Sequence, residues 1–477
     1  MFSVVPPEIL EGIVFELDHD DLITLRGTCK YFRDVATPFV FETIEICLHK
    51  DNRYYSSISL LRALASGKTD VGKYIQTLRF VSPFDPPHLK YQRVWHRMAR
   101  KRARKIQAIE KLIIGAIPRL IDLRSLDWIG WSQGSVRRSA IDLIMKKFTA
   151  CPNLTDVSIQ LHPDCSHNTA FSAFRNLTTF AFSGFRVMDF CPHIVGNCPN
   201  LMYLSVTSRD KISPSHPSVE MLLSRVPLEV ELPLTRLFLS GLVMTTSLLP
   251  NMYRHLRSLS HLTLDMEVPS QFWELARTEG IKLVSISVSW RTRSLLDYLK
   301  SYSGIQLLQI SIDVEEADHE KERRCADDLY YAILPGHGQT LTALYIQPYY
   351  AGAWCLEENH LAALVQCSKL ATLRLALDST HANVEGPDNV ITRTLDLLSS
   401  WPLLQYLHFS SARGDEENTQ PRVAQFYDRT CERIQEVVGG YRCRNPTESM
   451  HELIVSTDFA DNVLKKYDED TYMFVSV

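Results

Sequence analysis

The sequence predicts an α/β solenoid, with parallel strands on one face and helical crossovers on the other. Three observations predict it. The frame L-x-x-L-x-L returns down the chain at intervals of about 23 to 34 residues in its regular part. Within each copy the last two apolar residues alternate with polar ones, the period-two signature of a half-buried strand. The intervals also leave room for the long crossovers that parallel strands require. At 477 residues the chain is too long for one compact core, and internal repetition selects a solenoid over unrelated domains.

The clearest copies are Leu154/Val157/Ile159, Leu177/Phe180/Phe182, Leu201/Leu204/Val206, Leu234/Leu237/Leu239 and Leu259/Leu262/Leu264. The frame continues at Leu283/Ile286/Val288, Leu307/Ile310/Ile312, Leu341/Leu344/Ile346, Leu370/Leu373/Leu375 and Leu404/Leu407/Phe409. Upstream copies stand at Ile75/Leu78/Phe80 and Leu123/Leu126/Trp128, with weaker ones at Phe41/Ile44/Ile46 and Met450/Leu453/Val455. This spacing is that of leucine-rich repeats, so the expected form is a horseshoe of about 12 to 14 irregular turns over residues 41–477. Strands line its concave face and helices its convex face. Residues 140–145 and 361–365 suit the convex helices. A dozen strands stacked ~4.8 Å apart would make a sheet on the order of 60 Å long.

Cys151, Cys198 and Cys367 each stand three residues before a repeat-opening leucine, where another copy has Trp401. The shared position makes them packing residues at a repeat corner. The eleven cysteines are scattered, with no C-x-x-C pair. With no secretion signal at Met1-Phe2-Ser3 and Pro6-Pro7 interrupting any apolar run, they read as reduced thiols of the cytosol or nucleus.

The first forty residues do not follow the repeat. Pro6-Pro7-Glu8 suits a helix start. Ile9, Ile13 and Leu17 recur every four residues, flanked by Leu10 and Val14. Asp18 recaps the chain with Asp21 three positions on, close to a capping box. Leu22, Leu25, Cys29 and Phe32 form a second stripe, Gly27 reads as a helix break, and Pro38 is expected to end the run. Three short helices bury too little to stand alone. Their stripes need the solenoid, or a second protein.

Residues 5 to 36, VPPEILEGIVFELDHDDLITLRGTCKYFRDVA, resemble the F-box. The matching features are Val5-Pro6, Glu8-Ile9-Leu10, the Ile13 and Leu17 helix, Asp21-Leu22, and the run Cys29-Lys30-x-Phe32-Arg33. Val5 in place of the commoner leucine and Gly27 are departures. The resemblance implies a head over residues 1–40 that docks on a Skp-type adaptor and through it on a cullin. Pro6, Ile9, Leu10, Ile13, Leu17, Leu22, Leu25, Cys29 and Phe32 would form its apolar framework, part facing the adaptor and part its own core. It further implies a substrate receptor of an SCF-type ubiquitin ligase, whose repeats hold an unknown target protein. Ubiquitin transfer would fall to other subunits. The alternative is an interaction scaffold whose F-box-like head only caps the solenoid, as the ends of repeat arrays require.

Between the buried frame positions lie those expected on the concave surface. They run from Asp156 and Ser158 through Tyr203, Arg236, Phe238, His261, Gln309 and Ser311 to Tyr406 and His408. No charge stripe crosses them, and the net charge is −4, so neither a nucleic acid nor a membrane is the expected partner. Tyr345, Arg374, Tyr406 and His408 fall on three successive turns and form the candidate target patch, since Tyr and Arg are enriched in binding hot spots. Ordinary surface variation is the plainer reading.

A basic insertion spans residues 88–111. Its run Lys101-Arg102-Ala103-Arg104-Lys105, after Arg97 and Arg100, suits a solvated helix or a nuclear-localisation signal. The mixed charges from Glu315 to Arg324 read as a solvated helix. Residues 208–233 and 412–425 read as loops, and the acidic tail past Asp458 as a cap or frayed end.

No nucleotide-binding, nucleophile-elbow or H-E-x-x-H motif occurs. His162, Cys165 and His167 lack a second matching pair for a metal, and Cys191-Pro192-His193 lacks an orienting third group. No cofactor and no catalysis are expected of this chain.

Overall fold

The computed structural model describes residues 6–48, 52–81, 107–131, 138–161, 169–210, 217–227, 229–246, 252–289, 292–312, 319–378, 382, 389–412, 422–443, 450, 452–458, 460–468 and 471–476. Most of the basic insertion and the His162/Cys165/His167 group lie outside them. Two compact units divide the chain, Met1–Leu234 and Thr235–Val477.

The first unit begins with three helices, α1 (Pro7–Phe15), α2 (His19–Thr28) and α3 (Lys30–Glu42). Pro7 occupies the first turn of α1, where its missing N–H has no partner to lose. Asp18 caps α2 by accepting from the Asp21 amide at 2.8 Å. Two expectations fail here. The break between α2 and α3 falls at Cys29, in extended backbone (φ −156°, ψ 169°), and Gly27 stays helical. Pro38 does not end α3, which runs on to Glu42 because Val40, Phe39 and Phe41 beyond it pack into the helical core.

Six parallel strands follow: β1 (Thr43–Cys47), β2 (Thr77–Val81), β3 (Ser125–Trp131), β4 (Asp156–Leu161), β5 (Thr179–Gly184) and β6 (Tyr203–Ser208). Each pairs with the next in sequence order. Helices such as Arg138–Phe148 and Cys191–Asn197 make the crossovers. Frame residues stack in register, Ile44 on Leu78, Leu126, Val157, Phe180 and Leu204. All except Ile44, at the start of the row, are buried to 3% exposure or less.

In the second unit β7 (Arg236–Ser240), β8 (His261–Asp265), β9 (Ser285–Val288), β10 (Leu307–Ile312), β11 (Ala343–Pro348), β12 (Thr372–Leu377) and β13 (Tyr406–Ser411) repeat the arrangement. The strand β14 (Arg442–Cys443) comes next in sequence, and β15 (Ile454–Thr457) continues the parallel ladder from β13. β16 (Asp461–Lys466) and β17 (Tyr472–Ser476) then turn back antiparallel, with β14 on the far side of β17. The acidic tail thus closes the ladder as ordered strands.

Most turns are locked the same way. One carbonyl at the strand entrance accepts the two amides that open the next strand: Thr155 O takes Thr178 and Thr179, Thr342 O takes Ala371 and Thr372, and Ala371 O takes Gln405 and Tyr406. Buried backbone groups need such partners, so the pattern fixes the frame independently of hydrophobicity. It corrects two copies. Leu308 and Ile310 pair with Ile286 and Val288, so the true frame on β10 is Ile305/Leu308/Ile310, with Leu307 and Gln309 on the outer side. Val455 pairs with Leu407 and Thr457 with Phe409, so the last copy is likewise shifted by two from Leu453/Val455. In both stretches apolar residues continue at period two, so alternation alone cannot choose between registers that differ by two.

Three of the four corner residues behave alike, whereas Cys151 is half-buried and its Sγ donates to Lys147 O of its own turn at 3.9 Å. Cys198 Sγ donates to Phe174 O and Cys367 Sγ to Leu334 O, both at 3.9 Å, and Trp401 Nε1 donates to Leu364 O at 3.2 Å. Each reaches back to the preceding turn. Burial pushes the Cys198 and Cys367 thiols up to about 11, which keeps them neutral packing groups.

Three further expectations change. Residues 208–233 contain a short helix, Val219–Leu223, capped by Ser218. Residues 412–425 are not all loop, because a 19-residue helix starts at Arg422 and buries Cys431, Ile434 and Val438 at helical spacing. The charged stretch near 320 is helical over His319–Asp327 but not wholly solvated: Glu322 is buried and accepts from Trp354 Nε1 at 2.9 Å.

Candidate functional sites

The helical head divides its apolar residues in a way the stripe from Ile9 to Leu17 does not reveal. Val14, Leu22 and Val40 form the core, with Leu17, Leu25, Val35, Phe39 and Phe41 packed against them and Leu10 buried beside. Arg26 pins α2 to α3, its Nε donating to Thr37 Oγ1 at 3.1 Å while the guanidinium sits 4.9 Å from the centre of the Phe41 ring. Each fully buried aliphatic side chain stabilises by roughly 1.5–3 kcal/mol, so this core is modest. Its anchor lies in the backbone: α3 passes into β1 without a linker, and the Gln76 amide donates to Glu42 O at 2.9 Å.

The nine framework residues separate accordingly. Leu10 and Leu22 are core, Leu17, Leu25 and Phe32 are half-buried, and Pro6, Ile9, Ile13 and Cys29 stand open. Ile9 is 56% exposed and Ile13 52%. Phe15, Ile23 and Tyr31 join them as large apolar side chains left in water, and sequence reasoning missed all three. The signal was available: α1 carries apolar residues at 9, 10, 13, 14 and 15, more than one buried face can use. Phe15 also lines a cleft with Pro38, Phe39, Lys73, Tyr74 and Arg124. A small helical unit that leaves this much apolar surface open offers it to a partner.

The second candidate lies on the outer side of the second unit's strands. Tyr345, Arg374 and His408 stand side by side along one register line, as the shared frame predicts. Tyr406 occupies the neighbouring line, opposite Thr372. The Arg374 guanidinium carbon lies 5.6 Å from the Tyr345 ring centre and 5.4 Å from that of Tyr406. It is therefore held between two aromatic faces.

His408 belongs to the patch only in part. Its ring lies parallel to Tyr406 at 6.3 Å, but Nε2 is 3.6 Å from Asp458 Oδ1 and the side chain is 13% exposed. Asp458 also accepts from the Ser411 amide at 2.9 Å and from Cys431 Sγ at 3.3 Å. Burial alone would push the Asp458 carboxyl up, but the hydrogen bonds with His408, Ser411 and Cys431 together hold it below the usual carboxylate range. His408 thus positions the patch, and Asp458 is the residue the sequence did not disclose.

Among the described residues no three His, Cys, Asp or Glu side chains gather as metal ligands. Cys191 is buried and desolvation raises its thiol well above the ordinary value, which leaves it unreactive beside His193. Among the described residues no helix is long and apolar enough to cross a membrane.

Comparison with known proteins agrees with the head. The F-box domain family matches residues 2–42, which takes in all of α1, α2 and α3. No curated protein matches the chain. An F-box domain suggests, in general, a receptor that binds an SCF adaptor, and F-box domains commonly bind Skp-type adaptors. The chain therefore carries an N-terminal F-box domain followed by mostly parallel strands and helical crossovers, an arrangement compatible with a solenoid.

Proposed function

We propose that this chain is the substrate-recognition subunit of an SCF-type ubiquitin ligase. Its F-box docks on a Skp-type adaptor and so on a cullin, and its strands form a leucine-rich repeat horseshoe whose concave face holds a target protein. The chain itself catalyses nothing; it supplies effective concentration and orientation to the subunits that transfer ubiquitin. The observation that carries the reading is the open row of Ile9, Ile13 and Phe15 on a domain matched by the F-box family. The free, mostly buried thiols among the described cysteines support a cytoplasmic or nuclear setting.

One observation favours a second reading, a scaffold whose head only caps the repeats: α3 runs directly into β1. A pull-down with purified Skp-type adaptor separates the two. The intact chain should bind, and Ile13→Asp should weaken binding by at least about thirtyfold, a hot-spot-sized loss, with an unchanged melting temperature. A folded chain that ignores the adaptor would leave the scaffold.

A further inference from the structure

Arg374 lacks what an arginine on a protein surface ordinarily has. Among the described residues no carboxylate lies within ion-pair reach of its guanidinium, and its buried Nε has no hydrogen-bond partner. Buried polar groups left unbonded are uncommon and costly. Asp458, which reaches the patch through His408, is already engaged by His408, Ser411 and Cys431. On the outer side of the first unit's strands the corresponding problem is solved internally, where Arg79 Nε meets Asp127 Oδ2 at 3.1 Å.

We propose that Arg374, clamped between Tyr345 and Tyr406, receives the carboxylate of an acidic side chain in an extended segment of the target protein. The proposal rests on the reading of this face as the target-holding surface. Charge and shape choose this occupant. The guanidinium presents a planar donor fork that matches a carboxylate, and the two tyrosine rings supply flat walls that exclude water from the pair. A phosphate group would call for further cations, and Asp458 beside His408 adds negative charge to the patch instead. The flanking outer positions Thr372, Gln309 and Gln347 are neutral and polar, suited to the backbone of an extended segment.

The test measures fluorescence anisotropy of labelled octaglutamate, octaglutamine and a phosphoserine peptide of equal length in a glycine background, against the intact chain bound to its adaptor. Octaglutamate should bind about tenfold tighter than octaglutamine, the scale of one charge-assisted hydrogen-bonded pair. Arg374→Gln should erase that preference and Arg374→Lys should restore only part of it, because an ammonium lacks the planar fork. Arg79→Gln should leave the preference intact. Equal binding of octaglutamate and octaglutamine, or a preference that survives Arg374→Gln, would overturn the proposal. Tighter binding of the phosphoserine peptide than of octaglutamate would overturn it in favour of a phosphorylated partner. Adaptor binding by the Arg374 variants, read in the same samples, should match the unsubstituted chain. Loss of glutamate preference with adaptor binding retained isolates this inference from the ligase reading.

Discussion

The head and the strand ladder use apolar side chains in opposite ways. On the strands each turn buries its two inward residues almost completely, and what faces outward is mostly polar or aromatic. On α1, Leu10 and Val14 are buried while Ile9, Ile13 and Phe15 stay in water. A ladder needs one apolar face because the neighbouring turn covers it. The head has apolar residues beyond what its own core covers, and the excess is the surface that the proposed adaptor would cover. An apolar residue in a strand here therefore reports on fold, whereas one in the head reports on fold or on binding according to its face.

The sharpest way to break that contrast uses two adjacent leucines on β10. Leu308→Ala should destabilise the second unit by about 2–5 kcal/mol, the range for truncating a buried leucine. Leu307→Ala, on the outer side and half-exposed, should cost less than about 1 kcal/mol. Chemical denaturation of both variants decides the register. Equal losses would mean that Leu307 also faces inward.

That pair also shows what a sequence can and cannot reveal. Strand existence was legible because alternation and spacing agree from copy to copy and four copies share a corner residue, and each frame copy falls on a strand. The register was not legible on β10, because Ile305/Leu308/Ile310 and Leu307/Ile310/Ile312 are equivalent frames and only the backbone pairing chooses. In the head the spacing located three helices and the Asp18 cap, but not which face was which. Five apolar residues within nine positions cover more than half the helix circumference. The Tyr345, Arg374 and Tyr406 association followed from the frame alone. Asp458 was invisible because it enters from beyond the end of β15, fifty residues away in sequence from His408 by the count of their numbers.

Within the head the same contrast predicts a separation of stability from binding. Leu10→Ala should lower stability by about 2 kcal/mol, the lower end for a buried leucine at the margin of a small core. Ile9→Ala should change stability by less than about 0.5 kcal/mol and still weaken the adaptor complex. Differential scanning fluorimetry paired with adaptor titration reads both. A Leu10→Ala variant with wild-type stability would mean that the core lies elsewhere. Smaller again, Asp18→Ala removes the cap of α2 and should cost about 1 kcal/mol, visible as earlier loss of helical signal on heating.

The smallest effect is a pH slope in the ladder, set by a histidine that acts as a structural joint. His337 is buried, its Nδ1 accepting from the Ile305 amide at 3.3 Å and its Nε2 facing Leu299 O at 3.1 Å. That arrangement requires the neutral ring with the proton on Nε2. Protonation would place a second proton on Nδ1 and break the bond from Ile305, at the opening residue of the β10 frame. Burial lowers the His337 pKa from the ordinary 6.5, opposed in part by the hydrogen bond to Leu299. With the folded value below the unfolded one, the unfolded chain binds more protons as pH drops. Stability is therefore complete above about pH 6.5 and declines below it, until the pH falls beneath the folded value. The other ring against it, Tyr302, is neutral throughout this range because burial raises its hydroxyl, so it adds no opposing slope. Denaturation midpoints at pH 7.5, 6.5 and 5.5 should fall in that order, and His337→Gln should flatten part of the fall while lowering stability at pH 7.5. An unchanged slope in the variant would assign the acid sensitivity to other groups and leave His337 a packing residue.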